Sequence, residues 1–263
     1  RRMRGSMTGQ EMKIRLHILG ARGSVPVHGE DTSHFGGATS AYLLETPDEA
    51  VFLDAGTGLL HAPDVGKKRI SLLLSHPHAD HLLGLSFFPY LTGKDREITI
   101  YARERNGQGV REQLSRLYSP PLWPCGLTDY PACVRFRELP AGESGEADGK
   151  TGCRMRLGEV IVDMLEAVHP GGSTIYRLTC GDKSVVYATD VEYTREREKE
   201  LIDFFQGAEL LLMDGQYTPE EYEKRRGYGH STAQTALWLA EKARVRRLLI
   251  VHHDPRHTDE ALR

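Results

Sequence analysis

The sequence predicts an α/β (α+β) fold, and three observations carry that prediction. Short apolar runs of strand length recur along the 263 residues, and a few stretches repeat apolar residues at helical spacing. Turn-forming Gly, Pro and Asp separate them. The third observation is positional: Asp54, His76, His169, Asp190, Asp214 and His252 each stand just after an apolar run. Groups gathered at one edge of a sheet produce that pattern, whereas decorative surface polar residues scatter.

Length and apolar content allow one domain over residues 12–263. Residues 1–11 have no periodicity and read as a loose or added tail, with Met12 as the expected natural start. The net charge of −3, with Lys and Arg spread along the chain, offers no basic face to bulk nucleic acid. A local groove stays open. No run of about 18 apolar residues occurs and the N-terminus has no signal-peptide core, so a cytoplasmic protein without membrane contact is expected. Cys125, Cys133, Cys153 and Cys180 form no C-x-x-C pair and are expected to be reduced, buried thiols.

Residues 13–20 alternate at period two, which predicts a half-buried strand with His17 on its surface side. The Gly-rich turn at 20–26 either brings N–H groups and Arg22 to an anion or is a plain tight turn. His34, in the loop 32–37, is expected to flank the same mouth. Strands follow at 41–46 and 50–53, joined by a turn at 47–49. They end at Asp54, a turn former or, if buried, an acceptor behind nearby histidines.

The run 70–74, bounded by Lys67, Lys68 and Arg69, predicts a buried strand that ends where Pro77 removes a ladder donor. Next to it, residues 76–81 hold three imidazoles and a carboxylate. With the chain extended at His76 and His78, the period of two aims both the same way, while Asp80 caps a helix suggested by residues 82–85. His81 then points elsewhere. The arrangement suits one metal held by His76 and His78 and a second held by Asp80 and His81; the alternative is a cap with surface histidines.

A strand at 97–101 and a short amphipathic helix at 109–118 come next. Pro120, Pro121, Pro124 and Pro131 then force an irregular packed loop around Trp123, at a pocket rim or a subunit contact. Residues 142–152 read as a polar turn. A strand at 160–165 runs towards His169, and a hairpin of 174–179 and 184–189 about residues 181–183 ends at Asp190. Taken singly, each of these two is a ligand or an ordinary loop residue. The strand 210–213 ends at Asp214, Gly229-His230-Ser231-Thr232 opens a helix at 233–243, and the strand 247–251 ends at His252 and His253.

The series His76-x-His78-x-Asp80-His81, His169, Asp190 and His252 resembles the ligand order of the metallo-β-lactamase superfamily, over nearly all of residues 13–257. Gly229-His230-Ser231-Thr232, with the strand ending at Asp214, resembles the branch holding the tRNA 3′-processing endonuclease RNase Z and its small phosphodiesterase relatives. That resemblance implies an αββα sandwich of two mixed sheets with outer helices and metals at one edge. It implies two ions, zinc with manganese compatible: one on His76, His78 and His169, one on Asp80, His81 and His252, with Asp190 between them and His253 the substitute for His252. Asp80, His230 and Asp214 are the candidate catalytic residues, His230 protonating the leaving oxygen and Asp214 orienting it. Arg22 and His34 are the candidate substrate contacts, and a homodimer is expected. The tRNA-processing members carry a long arm between the equivalents of His169 and Asp190, where this chain has 20 residues. The expected substrate is therefore a small, cyclic nucleotide-like phosphodiester rather than tRNA, with thioester or lactone hydrolysis and a non-enzymatic scaffold as remoter readings.

Overall fold

A computed structural model of the chain describes residues 14–66, 69–140 and 153–263. The tail at 1–11, Met12, Lys67, Lys68 and the turn at 142–152 lie outside the described residues. Two six-stranded mixed sheets face each other. The first runs in sequence order through β1 (Arg15–Gly20), β2 (Ala41–Glu45), β3 (Ala50–Leu53), β4 (Arg69–Leu73), β5 (Glu97–Ala102) and β6 (Cys133–Glu138). The second runs the same way through β7 (Cys153–Leu157), β8 (Val160–Ala167), β9 (Ser173–Cys180), β10 (Lys183–Ala188), β11 (Leu210–Asp214) and β12 (Leu248–Val251). β1 to β3 and β7 to β10 pair antiparallel; β3 to β6 and β10 to β12, joined by crossovers, pair parallel.

The central strands are apolar on both faces because each face meets a core. Tyr42, Leu44, Val51, Leu53 and Leu73 point between the sheets, against Val162, Met164, Tyr176, Tyr187 and Leu212. Their alternates Leu43, Phe52, Ile70 and Leu72 point outwards onto Leu85, Phe88 and Leu114. On the far side Val186, Leu211 and Met213 pack under α2 (Glu198–Phe205) and α4 (Ala233–Lys242), through Leu201, Phe205, Ala236 and Leu239. Continuous apolar runs, rather than alternating ones, are what such doubly covered strands need.

The outer layer of the first sheet departs from expectation. No α-helix follows His81; three 3-10 turns (Ala79–His81, Leu85–Phe87 and Pro89–Thr92) stand there, and α1 (Val110–Ser115) is a short helix. Gly84 lies so close to Gly56 that a Cβ would fall 1.9 Å from the Gly56 carbonyl oxygen, and the Ala55 amide donates to the His81 carbonyl. This tethering, with Pro89 just beyond, takes the segment out of helical register. Asp80 sits inside the first turn and caps nothing. The edge strands β6 and β7, α2 and the short α3 (Pro219–Glu223) were not expected from the sequence. Of the four cysteines only Cys180 is buried; Cys125 and Cys153 are half-buried and Cys133, on an edge strand, is exposed. Among the described residues no helix is long and apolar enough to cross a membrane.

Candidate metal centre

The C-terminal ends of β3, β4, β8, β10, β11 and β12 deliver Asp54, the 75–81 loop, His169, Asp190, Asp214 and His252 to one edge of the sandwich. Three of these residues break from their strands in the left-handed region: Asp54 at φ 58°, Asp190 at φ 48° and His252 at φ 60°. That conformation costs a residue with a Cβ, so fixed hydrogen bonds must hold it.

Two donor sets form around Asp190. His76 Nε2 and His169 Nε2 lie 3.5 and 3.6 Å from Asp190 Oδ2, and His78 Nδ1 lies 3.1 Å from His169 Nε2. On the other side His81 Nε2 and His252 Nε2 lie 3.1 and 3.2 Å from Asp190 Oδ1, and 3.3 and 3.1 Å from Asp80 Oδ2. The donor atoms of each set lie within 4.8 Å of one another. His76 Nε2 and His81 Nε2 are buried with no hydrogen-bond partner, a costly state for a ring nitrogen unless something else fills its lone pair. The opposite ring nitrogens are anchored: His76 Nδ1 by Ser75 Oγ at 3.0 Å, His81 Nδ1 by Asp54 Oδ2 at 2.7 Å, His169 Nδ1 by the Gly229 carbonyl at 2.9 Å and His252 Nδ1 by Gln216 Oε1 at 2.9 Å. An acceptor on Nδ1 fixes the proton there and leaves the Nε2 lone pair facing inwards. The donor set therefore fits divalent metal ions.

His230 stands beside the two sets. Its Nδ1 is 2.6 Å from Asp214 Oδ2, and its ring stacks on His252 at 4.9 Å between centroids. Asp214, fully buried, also accepts from the Gln216 and Ser231 amides at 3.0 and 3.3 Å. A buried carboxylate so bonded holds the imidazole in one orientation. His230 also falls with Asp190 and His252 into a third compact donor group.

A family model described as "Beta-lactamase superfamily domain" matches residues 49–253. The chain belongs to that superfamily. The protein is a metal-dependent hydrolase. A protein named Ribonuclease Z from Methanosarcina acetivorans is 25% identical over 286 residues, covering 94% of this chain and 90% of the relative. The crystal structure of the short form of human tRNase Z superposes with a TM-score of 0.66 at 20% identity, over 91% of this chain and 92% of that one. A structure titled a new diphosphatase from the PhnP family gives 0.64 at 19%, over 92% and 88%. The last two likenesses speak to the superfamily fold.

Arg22 requires a correction. Its side chain is 1% exposed and donates to the carbonyls of Gly36, Asp254 and His257 at 2.9, 3.3 and 2.7 Å. Its Nε and Nη1 tie loops together through three carbonyls, and the buried side chain has almost no surface to offer a substrate. The turn that carries it serves the superfamily site differently: the Ser24 amide donates to Asp80 Oδ2 at 2.7 Å, and a Cβ on Gly23 would strike the His252 ring at 2.4 Å. His34 is exposed in its loop, its ring 4.8 Å from Phe35, which in turn lies 6.4 Å from His253. His253 itself is outside both donor sets, so the substitution for His252 is not needed. Sequence reasoning missed Ser24, Ser75, Gln216 and Tyr187, whose hydroxyl donates to Asp54 Oδ2 at 2.7 Å. Ser75 and Gln216 had a signal, standing beside named site residues; Tyr187, inside an apolar strand, had none.

Proposed function

We propose that the protein hydrolyses phosphodiesters at a centre holding two divalent ions, zinc or manganese, with His76, His78 and His169 holding one, Asp80, His81 and His252 the other, and Asp190 reaching both. The observation that carries the reading is Asp190, whose two oxygens face different donor sets. Bound ions would supply a water nucleophile at neutral pH and polarise a phosphoryl oxygen. The chain's own contribution is orientation and proton transfer. Asp54, Ser75, Gly229 and Gln216 fix the imidazoles, Ser24 fixes Asp80, and His230, oriented by Asp214, gives a proton to the departing oxygen.

Similarity over nearly the full length to proteins named Ribonuclease Z supports an RNA diester, hence tRNA 3′ processing, and moves that reading ahead of the small substrate expected from the sequence. One observation favours a small, cyclic nucleotide-like diester as the second reading: only Gly181 and Asp182 stand between β9 and β10, so no RNA-gripping arm leaves that hairpin. Incubation of the metal-loaded protein with precursor tRNA, and with a panel of cyclic nucleotides and dinucleotides, separates the two. Efficient, salt-sensitive 3′ cleavage supports the first. Turnover of the small diesters alone supports the second, and turnover of neither, with thioesters or lactones hydrolysed instead, removes both.

A further inference from the structure

Glu192 stands two residues beyond Asp190 and is 6% exposed. A carboxylate that deep is stable only with its oxygens hydrogen-bonded. Oε1 accepts from the Gly227 amide at 2.8 Å and from the Tyr222 hydroxyl at 2.9 Å; Oε2 accepts from the Gly229 amide at 2.9 Å. Gly227 and Gly229 have φ of 84° and 88°, left-handed values that let this turn direct both amides at one carboxylate. The next residue is His230.

The lacing continues on both sides. The Glu192 amide donates to the carbonyl of Val168, beside His169, at 2.9 Å, and His169 Nδ1 reaches the Gly229 carbonyl at 2.9 Å. Ser231 Oγ donates to the Val191 carbonyl at 2.6 Å and accepts from the Tyr193 amide at 3.1 Å. Three segments bearing Asp190, His169 and His230 are thus bonded into one unit. Asp214 sets how the His230 ring is turned and holds the backbone after it through the Ser231 amide at 3.3 Å, while Glu192 holds the turn before it.

We infer that Glu192 is a positioning residue that latches the 227–229 turn and so registers His230 against the metal centre. The inference rests on the reading of His230 as the proton donor. It is tested in the metal-loaded full chain with Glu192→Ala and Glu192→Gln, following amide deuterium exchange at residues 227–231, metal content, and turnover of two diesters. A dinucleotide has a poor leaving group that needs the proton; bis-p-nitrophenyl phosphate does not.

Glu192→Ala should speed exchange at Gly227 and Gly229 and keep both ions. Dinucleotide turnover should drop by about 10- to 100-fold, as loss of charge-assisted hydrogen bonds would cause. The p-nitrophenyl diester should slow less than about threefold, since its leaving group needs little protonation. Glu192→Gln, which keeps one carbonyl acceptor, should fall between. Equal losses on both diesters, or unchanged exchange at 227–231, overturn the inference. If the alanine variant fails to fold, the glutamine variant carries the same comparison with a smaller split. Faster exchange in Glu192→Ala, with no leaving-group split in His230→Ala, would sink the acid assignment while leaving the latch in place.

Discussion

The two donor sets use the same side chains in opposite electrostatic settings. In the set of His76, His78 and His169, burial pushes all three imidazoles below their ordinary pKa, and for His76 the neighbouring His81 pushes further. In the set of Asp80, His81 and His252, burial works the same way but carboxylates overrule it. Asp190, Asp80 and Asp54 raise His81, and Asp190 with Asp80 raises His252 to about 9. His78 is exposed, whereas Asp80, His81 and His252 are all buried. One set is neutral and reaches the surface at His78; the other, without metal, holds protons in the interior. Metal entering the second set must displace those protons, so the two sites should differ in pH dependence far more than their composition suggests.

The largest expected effect erases the contrast. Asp190→Ala removes the carboxylate common to both sets, so elemental analysis should find both ions lost together with activity, while Cys125→Ala should change neither. Retention of one full equivalent with activity would show that the sets do not depend on each other through Asp190.

His230→Ala comes next. Turnover of unactivated diesters should fall by about 10²- to 10⁴-fold, with a much smaller loss on p-nitrophenyl diesters and both ions retained. Loss of an ion instead would place His230 among the ligands, in the third donor group.

Asp54→Ala sharpens the difference between the sets, because Asp54 Oδ2 anchors His81. Affinity for one of the two ions should drop by about 10- to 100-fold in competition with a chelator. Equal weakening of both ions would mean that Asp54 acts on the whole loop, through its bonds to Ser75.

The smallest effect is a change in melting temperature with pH in the metal-free protein. His81 and His252 bind protons more tightly folded than unfolded, so the stability they add is fully present below the unfolded pKa of about 6.5. It is lost as pH rises, through about 9 in the case of His252. The metal-free protein should therefore lose thermal stability between those limits, where the depressed histidines and carboxylates do not titrate. With saturating metal, which needs both imidazoles neutral, the loss should vanish. A flat metal-free profile would refute the proton-holding second set.

Much of the site was legible in the sequence because it is written at strand ends. A short apolar run buries itself wherever it pairs, and the first polar residue after it must emerge at the sheet edge. Asp54, His76, His169, Asp190, Asp214 and His252 stand out together by that position, while the candidate ligand set that adds His78, Asp80 and His81 rests on the resemblance to the superfamily. Central strands were legible for the same reason. The edge strands β6 and β7 were not expected, although Arg135 and Arg137, and Arg154 and Arg156, alternate with apolar residues at period two: with six and five residues, each run gives only a short stretch of that pattern.

What the sequence by itself determined is therefore the order of the candidate ligands along the chain and the strands that carry them. Tertiary structure alone decided the rest: that Arg22 clamps carbonyls more than 200 residues away, that Ser24 and Gln216 hold Asp80 and His252 in place, that Glu192 meets the turn at 227–229, and that His252 rather than His253 faces Asp80. The physical reason is that a buried polar group takes whichever partner the fold brings within about 3 Å, and spacing along the chain carries no record of that meeting.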